Sequence, residues 1–245
     1  MLDFLTNSLF FGVAVSLAAY EVGSLLKRKF KSPILNPLLI SIILAFLIIG
    51  PIATFASDLL GAAFTALFNL NATISGFLYG ALIQVCVMFG VHWGFVAISV
   101  NNLATLGYDP ITIAGLASAF GQAGVVLMIM LRTKNKKLKS VCGPAIISAM
   151  VGITEPSIYG VTLQFKKPFM LACLASGIGG AIIGFGGVKQ YVYGTNGIFG
   201  WLQVINPQTG FDSSVLAAII ACAVSFIAAI ILMMTVGKDS IPEGK

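Results

Sequence analysis

Fifty consecutive residues, Leu59 to Tyr108, contain no Asp, Glu, Lys or Arg and a single histidine. A stretch of that length has nothing with which to build a water-facing surface, so its solvent has to be lipid. The rest of the chain agrees: of 245 residues 58% are hydrophobic and 9% charged, and the mean hydropathy is +1.00. Globular domains carry about 25% charged residues. The composition therefore excludes a soluble enzyme, a nucleic-acid-binding protein and a disordered chain. A formal net charge of +6 does not restore a nucleic-acid partner, because the 14 Lys and Arg fall mostly in short clusters at the ends of apolar runs. That distribution sets membrane topology.

A bilayer core about 30 Å thick needs about 20 apolar residues in a helix. Phe4 to Leu26 is the first such run, closed by Lys27, Arg28, Lys29 and Lys31. It lacks a basic leader and a small-residue cleavage site, so it is expected to stay in the membrane rather than leave as a signal peptide. Ile34 to Phe55 follows; Leu59 to Leu70 reads as a short interfacial or partial helix, and Ile74 to Val100 as a full span. Pro110 to Leu131, Pro168 to Val188 and Ser213 to Val236 are further spans, with a basic loop at Arg132 to Lys139. The expected fold is an all-α polytopic membrane protein of about six to eight membrane segments.

One segment departs from a plain span. Val141 to Phe165 carries Gly143-Pro144, Gly152, Pro156 and Gly160. Such backbone is tolerated at membrane depth only inside protein or beside a water-filled cavity, which predicts a re-entrant hairpin lining a substrate site. Gly177, Gly179, Gly180, Gly184, Gly186 and Gly187 are read instead as close helix packing by small residues. The positive-inside rule places both basic clusters in the cytoplasm and demands an even number of crossings between them, yet three clear ones are present. Either Leu59 to Leu70 adds a crossing, or one cluster lies on the unexpected side, or the two halves have separate origins.

An ionisable group in an apolar segment costs about 2.5–3.5 kcal/mol on insertion scales, so each needs a reason. Glu21 lies near the first basic cluster, where a lysine partner is expected. His92, the only histidine, stands between Gly90 and Gly94 and beside Trp93; mid-membrane, it reads as functional over satisfied core. Trp93 offers a flat apolar face to a sugar ring, or packs at an interface. Glu155 stands in Gly152-Ile153-Thr154-Glu155-Pro156, where proline removes a backbone donor and pushes the preceding residue toward an extended conformation. A carboxylate framed by exposed backbone suits a polyhydroxylated neutral ligand, whose hydroxyls each donate and accept. Asn101, Asn102 and Asp109 read as turn and cap residues, and Lys166 and Lys167 as topology markers. Cys86, Cys142, Cys173 and Cys222 are far apart and read as small core residues. There is no phosphate loop, zinc spacing or serine-nucleophile motif, so no catalytic side chain, metal or cofactor is expected.

Three runs, Phe89 to Gly94, Asn101 to Pro110, and Gly152 to Val161, resemble the membrane (IIC) component of the bacterial sugar phosphotransferase system, glucose superfamily, in its β-glucoside, sucrose and trehalose branch. The resemblance covers about Ile48 to Lys238. It implies that His92 and Glu155 belong to a sugar site, with Thr154, Trp93 and Gly152 in support. It also implies a homodimer in the bacterial cell membrane, and sugar handed to a separate IIB domain for phosphorylation, with IIB and IIA supplied as partners. Phe11 to Leu17 and Lys31 to Ile40 resemble instead the start of the LrgB/CidB antiholin-like family. The domain reading is thus an LrgB-like beginning over 1–48, a partial IIC domain over 49–238 and a polar tail over 239–245. The alternatives are an LrgB-like regulator of murein hydrolase export and a truncated or chimeric product without function.

Overall fold

The computed structural model describes residues 17–30 and 36–240. The opening of the Phe4 to Leu26 run, the Lys31 end of the first basic cluster, parts of both LrgB-like runs and most of the polar tail lie outside the described residues. The chain divides into two compact units, Met1–Asp58 and Leu59–Lys245. In the first, residues 17–30 are helical and Glu21 is exposed; among the described residues it has no lysine partner, contrary to expectation.

Helix α1, Pro37–Leu70, runs unbroken for 34 residues. The expected separate segment at Leu59 to Leu70 is therefore the end of a longer helix. Neither Pro51 nor Asp58 stops it; the chain turns at Asn71, whose side chain accepts a hydrogen bond from Ile74 N at 3.0 Å and starts α2, Ala72–Met88. The expected span Ile74 to Val100 is also corrected. It breaks after Met88 and resumes as α3, Trp93–Leu106, which ends on Gly107 in the left-handed conformation.

A 3₁₀ turn, Thr112–Ala117, leads into α4, Ser118–Arg132. Asn135 then caps α5, Lys136–Val151, accepting from Lys137 N and Leu138 N. The basic loop thus shrinks to three residues, and Lys136, Lys137 and Lys139 belong to the helix. Gly143-Pro144 does not interrupt α5; the break falls at Gly152. Then follow α6, Glu155–Gly160, a 3₁₀ turn at Thr162–Gln164, α7, Lys166–Phe185, and, after a connection over 186–212, α8, Ser213–Thr235. Among the described residues there is no strand beyond isolated bridges. Thr112–Arg132, Lys166–Phe185 and Ser213–Thr235 are long and apolar enough to cross a membrane. The protein is an all-α membrane protein.

The second unit is organised around the crossing of α2 and α7. A Cβ on Gly76 would lie 2.2 Å from the Gly180 carbonyl oxygen, one on Gly80 2.5 Å from that of Ser176, and one on Gly184 2.1 Å from that of Ala72. Only glycine lets the two backbones approach so closely, which is the packing expected of that glycine-rich stretch. Gly186 and Gly187 lie past the end of α7. Polar groups buried between the helices pair with one another: Gln84 donates to Ser118 O, Gln122 to Gln84, Thr162 to Gln122, and Ser225 to Ala117 O. All four cysteines are free; Cys173 is half-buried and the others buried.

Candidate functional site

Two helix ends of the second unit are built by one device. At the end of α2, Gly90 takes φ +75° while Gly90 N donates to Val87 O at 2.9 Å and Val91 N to Cys86 O at 3.0 Å. At the end of α5, Gly152 takes φ +104° while Gly152 N donates to Ala149 O at 2.8 Å and Ile153 N to Ser148 O at 2.9 Å. This double bond over a left-handed residue satisfies carbonyls the helix leaves orphaned, and it requires a residue without a Cβ penalty. In both places the chain then delivers the singled-out side chains: His92 and Trp93 after Gly90, Thr154 and Glu155 after Gly152.

Tertiary bonds bring the two corners together. Ser157 Oγ donates to Ala145 O at 2.8 Å, folding α6 back onto α5 as a hairpin. Tyr159 Oη lies 3.0 Å from Val87 O and 3.2 Å from Met88 O, at the end of α2. These contacts set His92 Nε2 3.9 Å from Glu155 Oε1, with side-chain exposures of 20% and 43%. The Trp93 ring lies 5.5 Å from that of His92 and is largely exposed. Thr154 is buried and caps α6 without a side-chain bond to it.

His92, Trp93, Gly152, Thr154 and Glu155 all line one cleft of about 520 Å³, inside the range of about 300–1,000 Å³ for small-molecule sites. Its other wall is one that sequence reasoning did not find: Gln190, Tyr193, Thr195 and Asn196, from the connection after α7. This strap is anchored at both ends. Asp109 and Gln190 exchange backbone hydrogen bonds at 2.8 and 2.9 Å, and Lys189 Nζ sits 3.9 Å over the Tyr108 ring. Asp109 is fully buried, its carboxylate accepting from Asn102 Nδ2, Ile111 N, Thr112 N and Thr112 Oγ1. It is a turn residue, as its setting in the sequence suggests.

At the far end, Ile198 N donates to Met150 O at 2.7 Å. A Cβ on Gly152 would fall 1.7 Å from Asn196 O, and one on Gly197, at φ +101°, 2.5 Å from Met150 O. Gly152 thus serves as the joint between hairpin and strap. Among the described residues no group of His, Cys, Asp and Glu is placed to hold a metal ion. The arrangement can bind a neutral, hydroxyl-rich molecule: a carboxylate and an imidazole side by side, an indole at the rim, and uncharged polar groups opposite.

Residues 3–177 match the family model described as Phosphotransferase system, EIIC. The chain is 43% identical over 199 residues to the PTS system beta-glucoside-specific EIIBCA component of Dickeya chrysanthemi, covering 81% of this chain and 31% of that protein. It is 44% identical over 184 residues to the protein of the same description from Halalkalibacterium halodurans, covering 75% and 29%. To the PTS system sucrose-specific EIIBC component of Bacillus subtilis it is 31% identical over 188 residues, covering 74% and 41%. The chain spans about a third of the length of the first two. No solved structure matches it.

Proposed function

We propose, from the premise that the chain belongs to the phosphotransferase system EIIC family, that it is the membrane-embedded permease component of a phosphoenolpyruvate-dependent sugar uptake system. Its substrate is a β-glucoside or a related disaccharide, which it hands to a IIB domain for phosphorylation, IIB in turn being charged by IIA. The substrate class is supported by relatives whose names specify β-glucosides or sucrose. The partners are supported by their description as EIIBCA and EIIBC components, in which those parts share one chain with EIIC. It works as a multi-pass homodimer in the bacterial cytoplasmic membrane.

The observation that carries this reading is the meeting of Glu155 and His92 across an open cleft. An ionisable pair in so apolar a chain is costly to insert and has little stability to offer at that separation. As sugar-site groups they have a use: the carboxylate accepts from one hydroxyl and the imidazole donates to or accepts from another. Trp93 supplies an apolar face for the ring, Thr154 a neighbouring hydroxyl, and Gly152 the corner that presents them. The family match runs over residues 3–177, on both sides of the boundary expected near residue 48. That supports reading residues 3–177 as parts of one transport domain instead of giving 1–48 to an LrgB-like beginning, and no structural or family match favours an LrgB-like regulator of hydrolase export.

Isothermal titration of the purified chain with salicin, cellobiose, sucrose and trehalose tests the reading. The native chain is expected to bind at least one of them, with Glu155→Gln weakening it at least tenfold and His92→Ala somewhat less. Equal binding by all three proteins would reject the site.

A further inference from the structure

Four glutamines are buried among the described residues: Gln84, Gln122, Gln190 and Gln203. Three spend their side-chain amides on the protein. Gln84 donates to Ser118 O at 3.1 Å, Gln122 to Gln84 Oε1 at 3.4 Å, and Gln203 to Thr195 O at 2.6 Å. Gln190 differs. It is 4% exposed, its backbone is fully used by Asp109, and its side-chain amide has no hydrogen bond among the described residues. It lines the cleft.

Tyr79 is in the same position. It is 3% exposed and lines the same cleft, and its hydroxyl has no hydrogen bond among the described residues. Its ring is fixed by edge-on contacts to Phe64 and Phe95, at 5.1 and 5.0 Å between centroids. Phe64 and Phe95 are phenylalanines, so the hydroxyl adds nothing to that packing. Among the described residues the side-chain atoms both sealed from solvent and unpaired are His92 Nδ1 and Ser99 Oγ; the Gln190 amide and the Tyr79 hydroxyl are not among them, so these two groups are left without a protein partner but open to the cleft their residues line. A polar group from α2 and one from the strap are thus free to bond in the cleft that Glu155 and His92 also line.

We propose that the Gln190 amide and the Tyr79 hydroxyl bind the ligand, forming the neutral, buried wall of the site. A primary amide carries both donors and an acceptor, and a phenol one of each, so together they match vicinal hydroxyls on a sugar ring without bringing a formal charge. Asp109 acts through Gln190 as a positioning residue: its buried carboxylate holds the turn that the Gln190 backbone pairs with. This assignment rests on the sugar-site reading above and adds the groups that select which hydroxyls are read.

The test is titration of the full chain with methyl β-glucoside and its 2-, 3-, 4- and 6-deoxy analogues, for the native protein, Gln190→Leu and Tyr79→Phe. Each variant is expected to weaken binding of the parent glucoside about tenfold. Each is also expected to be insensitive to loss of one particular hydroxyl that the native chain notices. Thermal midpoints should match the native one, because neither side chain gives a hydrogen bond to the fold, whereas Gln122→Leu should lower the midpoint and leave the deoxy pattern alone. Native-like affinities in both variants, or a uniform loss across all the analogues, would overturn the proposal while leaving Glu155 in place. Absence of glucoside binding by the native chain, with or without Glu155→Gln, would overturn the sugar reading itself.

Discussion

The corner at Gly90 and the corner at Gly152 end their helices with the same pair of backbone hydrogen bonds, yet they stand in different surroundings. A Cβ on Gly90 would meet nothing within 4 Å, whereas one on Gly152 would fall inside the main chain of Asn196. At the first corner glycine answers only to its own torsion angle. At the second it answers to the torsion angle and to a neighbouring wall. One motif therefore tolerates replacement to very different degrees depending on what is packed behind it.

Alanine at each corner measures that difference. Gly152→Ala should lower stability by about 3 kcal/mol or more, because left-handed strain adds to a contact that only main-chain movement can relieve. Gly90→Ala should show the strain alone, about 1–2 kcal/mol. Thermal midpoints in detergent check both, and equal losses would mean that the strap does not press on Gly152. Tyr159→Phe comes next, expected to remove about 1 kcal/mol and also to weaken glucoside binding, since the hydroxyl ties α6 to the end of α2; unchanged binding would mean the corners keep their spacing without it.

The smallest effect belongs to the start of α8, far from either corner. Asp212 accepts from Ser214 N at 2.9 Å and from Ser214 Oγ at 2.5 Å, bonds that hold its carboxyl below the usual carboxylate value. A depressed value means the cap contributes fully above the ordinary carboxylate value of about 3.9 and is lost as pH falls through the lower one. A melting series from pH 7 to pH 3 should show a shallow acid loss that Asp212→Asn flattens. A loss of the same depth in the variant would assign it to other groups.

Membrane class was legible because it follows from composition, and the hairpin wall because a carboxylate and a histidine in apolar surroundings stand out by their insertion cost. The helix boundaries were less so. A window over Ile74 to Val100 registers hydropathy and misses that Gly90 takes a positive φ, while splitting Ile34 to Phe55 from Leu59 to Leu70 misses that the helix runs on to Leu70 and that the next one is capped by Asn71. Gly143-Pro144 drew attention by residue type, yet α5 continues through it and turns eight residues later. The strap wall gave no signal at all: Gln190, Tyr193 and Asn196 are uncharged residues in a connection, and nothing in linear order relates them to Gly152. Their part in the cleft depends on a contact across more than forty positions.

The seam between Gly152 and Asn196 is backbone against backbone, with no side chain in between. The width of the opening along that edge is consequently a property of the main chain, indifferent to rotamers. Tailoring the protein to bulkier or slimmer guests there would call for lengthening or shortening the 186–212 segment, because trimming bulk at the seam has nothing to remove.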